Sequence, residues 1–201
     1  MKRILKQKSP SSFVKWVRKN PSAHWGLFQG EVKQELADQL RQEQGYLCCY
    51  CEQRIGDGSS HIEHLRPKGS QYSKYTFDYQ NLLSSCLDKN SCGKKKADWY
   101  SPAMVTPLDE NCEERFYYRG DGAIIPAHSE DRHAQETIDR LNLNCDKLKT
   151  MRMQVYEVYH SIKKEVSRKE FVAWIEETLQ YHSNGEYVEF WTTVKYVAEK
   201  A

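Results

Sequence analysis

The sequence predicts an α+β fold, with a small core of short strands held around a metal and α-helices flanking it on the N- and C-terminal sides. Three observations lead there. Helical periodicity is clear before residue 45 and after about residue 129, and it fades in between. Five of the seven cysteines, Cys48, Cys49, Cys51, Cys86 and Cys92, bunch into two groups inside that aperiodic stretch. A segment this long without an amphipathic pattern needs something other than a large apolar core to fix it, and a bound metal serves that purpose.

The chain divides into three expected regions. Residues 1–45 are helical and basic. Ser11 or Ser12 caps a short helix carrying Phe13, Trp16 and Val17 on one face, and Pro21 ends it. A second helix runs from about 30 to 44, with Val32, Leu36 and Leu40 spaced four apart and Gly45 at its left-handed terminus. Residues 46–125 form the core, where strand-like pieces such as 60–65 alternate with turns such as Gly56-Asp57-Gly58. Residues 126–201 return to helix: Ile138, Leu141 and Leu148, then Val155, Val158, Tyr159 and Ile162, then Phe171, Trp174, Ile175 and Leu179 mark apolar faces. A turn at Asn184-Gly185 precedes a last segment with Val188, Phe190, Trp191, Val194 and Val197. This C-terminal region is the expected docking surface for a partner.

The chain has 201 residues and a formal net charge of +2, so it is no polycation. Its charge is clustered instead. Lys2, Arg3, Lys6, Lys8, Lys15, Arg18 and Lys19 make a basic head, and Lys94, Lys95 and Lys96 a second group beside Cys92. Such groups suit a phosphate backbone. No apolar run approaches membrane-spanning length, and the basic N-terminus lacks the apolar stretch of a signal peptide. The expectation is a cytoplasmic protein with no membrane partner.

Seven cysteines, an odd number, without a secretion signal argue against a disulfide framework. Cys48 and Cys51 form a C-x-x-C pair, whose tight turn lets both sulfurs converge on one zinc. Cys86 and Cys92 form the second pair, with five residues between them. Together they give the four ligands of a closed structural Zn2+ site, although Cys49 is an alternative to Cys48. Cys112 and Cys145 are expected to be ordinary core residues.

Between the two pairs lies Ser60-His61-Ile62-Glu63-His64-Leu65-Arg66-Pro67-Lys68. On a strand, Glu63 and His64 point to opposite sides and must do different jobs. A carboxylate holds a hard divalent cation, while an imidazole of near-neutral pKa removes a proton from water. Asn81, in Tyr79-Gln80-Asn81-Leu82-Leu83, carries an amide able to brace the loop and orient the histidine.

These residues resemble the HNH nucleases. The matching features are Cys48-x-x-Cys51, Glu63-His64 followed by Pro67, Asn81-Leu82-Leu83, Cys86, and Cys92 with Lys96 four residues later. The resemblance implies a ββα-metal (HNH) core in which Glu63 binds a catalytic Mg2+ or Mn2+, His64 activates water and Asn81 supports it. It also implies that the four cysteines form a separate structural zinc site. Many members place a second metal-binding His or Asn directly after the final cysteine. That position is Gly93 here, and His61, on the same strand face as Glu63, is the candidate replacement, with Asn90 and Asp98 as others. Arg66, Lys68, Lys94, Lys95 and Lys96 are the expected nucleic-acid contacts.

The strings Cys49-Tyr50-Cys51-Glu52, Ile62–Lys68, Tyr79–Leu83, Ser91–Lys96 and Thr137–Asn144 are similar to the HNH proteins (PtuB type) of Septu and retron antiphage systems. That likeness spans about Tyr46 to Arg152. It implies a toxic effector that cuts DNA or RNA, tRNA included, beside an ABC/SMC-like ATPase of PtuA type. In retrons it adds a reverse transcriptase with its RNA–DNA hybrid. The competing reading is a zinc-stabilised nucleic-acid or protein binding subunit without catalysis, which the missing ligand at Gly93 favours.

Overall fold

A computed structural model describes residues 1–199. The first helix, α1 (Ser11–Lys19), follows Pro10, and neither serine caps it by side chain. Proline fits because its fixed φ suits a helix entry and it has no N–H to leave unpaired. Next, α2 (Glu31–Glu43) starts after Gly30, whose φ of +77° is strained for other residues. Phe13, Phe28, Leu36 and Leu40 pack together with Tyr79 and Leu82 into one core, flanked by half-buried Trp16, Trp25, Ile62 and Phe77.

That core covers one face of a two-stranded antiparallel sheet, β1 (Ser60–His64) and β2 (Leu82–Cys86), in which Ser60 lies opposite Cys86 and His64 opposite Leu82. Side chains alternate across a sheet. Leu82 therefore enters the α1–α2 core, while Leu83 enters a second, larger core holding Cys48, Cys51, Cys92, Ile138 and Leu148. A short helix, α3 (Cys92–Lys96), packs against β2 on that second side.

A second hairpin was not anticipated: β3 (Phe116–Tyr118) pairs with β4 (Ile124–Pro126), Tyr117 opposite Ile125. The expected boundary at residue 125 falls inside β4. The buried Arg152 ties this hairpin down, Nε donating to the Gly122 carbonyl at 2.7 Å and a guanidinium N–H to the Leu143 carbonyl at 2.6 Å.

The remaining helices are α4 (Arg132–Arg140), capped by the Asp131 side chain, α5 (Asp146–Glu165), α6 (Arg168–Thr178), and α7 (Trp191–Glu199). Ser167 and Glu170 form a reciprocal capping box at the start of α6. Val194 and Val197 of α7 are buried with Phe171 and Ile175 of α6, so this apolar face serves the chain's own core. Val158, Trp174 and Tyr181 remain exposed.

The last segment also reaches the cysteine turn. Glu52, directly after Cys51, has a left-handed φ of +64° that a glycine would adopt with less strain. Its buried carboxylate accepts from the Thr192 N–H at 2.7 Å, the Thr192 hydroxyl at 2.6 Å and the Lys2 N–H at 3.0 Å. Those bonds outweigh the strain and fix α7 to the turn that aims Cys48 and Cys51. Among the described residues no helix is long and apolar enough to cross a membrane.

Candidate active site

Cys48, Cys51, Cys86 and Cys92 converge, with all four sulfurs buried and within 4.8 Å of one another. Thiolates bound about 2.3 Å from one central zinc stand about 3.8 Å apart, so this spread fits a closed tetrahedral site. Cys49 lies outside the tetrad, which removes it as the alternative to Cys48. The Cys86 N–H points at the Cys48 sulfur, 3.3 Å away. Burial opposes ionisation of Cys48, yet hydrogen bonds from the surrounding thiols pull its pKa well below the ordinary value. Burial and the same crowding push Cys51 up. A bound cation would favour the thiolate form of all four.

The tetrad clamps α3 against the hairpin, and this brings Gly93 onto Glu63. A Cβ at position 93 would lie 2.4 Å from Glu63 Oε2 and 3.0 Å from His61 Nε2. Only glycine leaves room for that pair. His61 Nε2 and Glu63 Oε2 are 3.1 Å apart, and the other His61 nitrogen, Nδ1, is buried with no hydrogen-bond partner. Two ligand atoms at about 2.1 Å from a cation and at right angles stand about 3.0 Å apart, so the pair suits a shared octahedral ion. The other candidates, Asn90 and Asp98, are exposed, and the backbone of Asn90 is held by Asp88 and Asn142.

Lys96 corrects an expectation. It does not face solvent as a phosphate grip: its side chain is 0% exposed, with Nζ 3.0 Å from Glu63 Oε1 and 3.0 Å from the His64 carbonyl. Residues four apart share a helix face, so Lys96 follows Cys92 inward. Burial would raise the Glu63 carboxyl, but His61 and Lys96 outweigh it and hold its pKa below the usual carboxylate value. The Tyr50 hydroxyl adds a 3.3 Å hydrogen bond.

On the opposite face, His64 Nε2 sits 3.0 Å from the Thr76 carbonyl. A carbonyl only accepts, so Nε2 carries the proton and Nδ1 the lone pair. The ring packs perpendicular to that of Trp25, centroids 4.3 Å apart and planes at 87°. Burial lowers its pKa to about 4, against partial compensation from Thr76. Asn81 stands next to it in the ladder: its Oδ1 accepts from the Arg66 N–H at 2.7 Å, and its Nδ2 donates to the Arg66 and Tyr75 carbonyls at 3.0 Å each. The amide therefore braces the 66–75 loop that carries Pro67 and Lys68.

Comparison with known proteins decides the family. A protein of Vibrio cholerae serotype O1 biovar El Tor named as the HNH endonuclease of retron Vc95 is 34% identical over 140 residues, covering 65% of this chain and 67% of that protein. The chain belongs to the retron HNH endonucleases. An Escherichia coli protein named as the HNH endonuclease of retron Ec83 is 24% identical and covers 82% of this chain and 83% of its own. No family model matches the sequence.

Elsewhere in this HNH endonuclease the expected phosphate contacts divide. Lys68, Lys94 and Lys95 are exposed. Arg66 is half-buried, its guanidinium 4.3 Å from the Tyr75 ring centroid and its Nε donating to the Tyr100 hydroxyl at 3.2 Å. The basic head is partly consumed: Lys6 pairs with buried Glu43, and Lys2 lies 4.1 Å over the Tyr187 ring. Sequence reasoning missed Lys96 as a partner of Glu63, although its i,i+4 spacing from Cys92 signalled the inward face. It also passed over Trp25, which no motif marks.

Two outcomes follow from this endonuclease site. Gly93→Ala should cut nuclease activity on the order of a hundredfold while cysteine-bound metal stays stoichiometric, because the Cβ displaces Glu63 and not the sulfurs; undiminished activity would show that Glu63 has no such role. In an NMR titration the His64 ring should stay neutral down to about pH 5 and titrate near 4. The unfolded chain takes that proton near 6.5, so the imidazole's contribution to stability is complete above about 6.5 and declines as pH falls toward 4. A midpoint at 6.5 or higher would contradict the buried environment.

Proposed function

We propose that this endonuclease hydrolyses phosphodiester bonds of DNA or RNA with a divalent cation, Mg2+ or Mn2+, held by Glu63 and His61 in an HNH core whose hairpin and α3 are fastened by zinc at the four cysteines. The observation that carries the reading is the His61–Glu63 pair, 3.1 Å apart against Gly93, one residue from an imidazole whose tautomer is fixed. The cation supplies Lewis-acid stabilisation of charge on the phosphate oxygens.

The chain's own residues do the rest. His64 is the last residue of β1, so it and Glu63 flank the end of the strand from its two sides. Nδ1 of His64 takes a proton from water as the water oxygen bonds to phosphorus and the bond to the leaving oxygen breaks; solvent returns a proton to that oxygen. The low pKa keeps His64 neutral and ready as a base at physiological pH. Asn81 is a positioning residue that holds the 66–75 loop beside the imidazole. Lys96 keeps Glu63 ionised and ties it to the His64 backbone. Lys68, Lys94 and Lys95 meet neighbouring phosphates and set register without reading sequence.

The retron names of both relatives, with the likeness to Septu and retron HNH strings, support a wider role as a PtuB-type effector of antiphage defence. Its partners are then an ABC/SMC-like ATPase of PtuA type and, in a retron, the reverse transcriptase with its RNA–DNA hybrid.

The test incubates the zinc-loaded protein with plasmid and with RNA, with and without magnesium, beside His64→Ala. Cutting by the wild type should require the added cation, and His64→Ala should lose between about a hundredfold and ten-thousandfold. Full activity of His64→Ala, or undiminished cutting in chelator that leaves the cysteine metal in place, would refute the mechanism.

A further inference from the structure

Within the described residues β1 pairs only with β2, and on its outer edge the His64 carbonyl is taken by Lys96 Nζ. A groove of about 520 Å3 runs there, lined among others by Ser60, His61, Ile62, Trp25 and Lys33. His61 is the exposed member of the Glu63 cluster: its side chain is 23% exposed, against 7% for Glu63 and 0% for Lys96. The groove thus reaches the proposed cation site through His61. Trp25 connects it to the other half of the chemistry, because the same indole that lines the groove packs perpendicular to the His64 ring.

Three features make Trp25 more than a core residue. It is half-buried, in a short 3-10 turn (Trp25–Leu27), and its ring is held by Phe28 and Phe77 at centroid distances of 5.2 and 5.5 Å. A platform held this way loses little freedom when a ligand stacks on it. Two ammonium groups, those of Lys33 and Lys68, lie 5.8 and 6.0 Å from its centroid. The acid on the groove wall, Asp57, is 3.7 Å from the guanidinium of Arg41, which also pairs with Asp38, so the attraction for an anion comes from Lys33 and Lys68.

We propose that Trp25 is a stacking platform for an unpaired nucleobase beside the scissile phosphate, with Lys33 and Lys68 on the adjoining phosphates, so that the preferred substrate is single-stranded or locally melted nucleic acid. This rests on the nuclease reading above and narrows it. Along a duplex the internal base faces are covered by their neighbours and cannot lie on the indole, whereas an unpaired base presents a π-face of any sequence.

The experiment is equilibrium binding of the full, zinc-loaded chain, without magnesium, to a labelled single strand as DNA and as RNA and to the matching blunt duplex. The wild type should bind a single strand more tightly than duplex. Trp25→Ala should weaken single-strand binding by about tenfold or more and shrink that preference. Trp25→Phe should keep most of it. Lys33→Ala should weaken single strand and duplex alike and reduce the salt slope by about one. If Trp25→Ala fails to hold zinc or to melt like the wild type, Trp25→Leu against Trp25→Phe carries the comparison, with loss expected for leucine alone. Equal affinity for duplex and single strand in the wild type, or folded Trp25 variants that lose both equally, overturns the platform. The DNA and RNA arms tell which strand it takes. Such a failure, with His64-dependent cutting intact, leaves the nuclease reading standing. Selective single-strand binding without magnesium-dependent cutting would refute the chemistry instead.

Discussion

Four sulfurs from two distant pairs meet at one point, and the position of every candidate catalytic group depends on that convergence. Cys48 and Cys51 come from the turn before β1, Cys86 ends β2 and Cys92 begins α3. Closing them fixes α3 against the hairpin, which presses Gly93 onto Glu63 and swings Lys96 inward. Magnitude makes the point. A structural zinc in a small module is worth about 10–16 kcal/mol, comparable with or larger than the roughly 5–15 kcal/mol net stability of a whole domain. A five-residue helix and two five-residue strands have little apolar area of their own, so the zinc we propose is what holds their geometry.

The same clamp separates two chemical environments on one strand. Glu63 faces α3, where His61, Lys96 and Tyr50 surround an ionised carboxylate. His64 faces the aromatic core, where it packs against Trp25 and burial keeps the imidazole neutral. Adjacent residues on a strand point apart, so a charge-holding and a proton-accepting group sit within one peptide unit without neutralising each other. Asn81 locks the loop on the histidine side, and Glu52 locks the cysteine turn from the C-terminal end.

Much of this was legible in the sequence. The paired cysteines announced a four-sulfur site, since thiols at that spacing in an aperiodic segment have few other uses. The split of Glu63 and His64 followed from strand alternation, and the helices from their periodicity. The β3–β4 hairpin was readable too, because Phe116-Tyr117-Tyr118, Arg119-Gly120-Asp121-Gly122 and Ile124-Ile125 are an aromatic strand, a glycine turn and a β-branched strand. What the sequence hid depends on long-range packing. Glu52 occupies a left-handed position because residue 192 supplies its partners, and Lys6 leaves the basic surface because Glu43 is buried beside it. Gly93 looked like a missing ligand; in three dimensions it is the space that His61 and Glu63 require.

The His61–Glu63 pair against Gly93 is proposed as a cation site distinct from the sulfur tetrad. Anomalous diffraction from crystals of the zinc-loaded protein soaked in manganese tests it most directly. A manganese peak is expected within bonding distance of His61 Nε2 and Glu63 Oε2, with zinc alone at the cysteines. Manganese bound elsewhere, or no peak at that pair under saturating manganese, would contradict it.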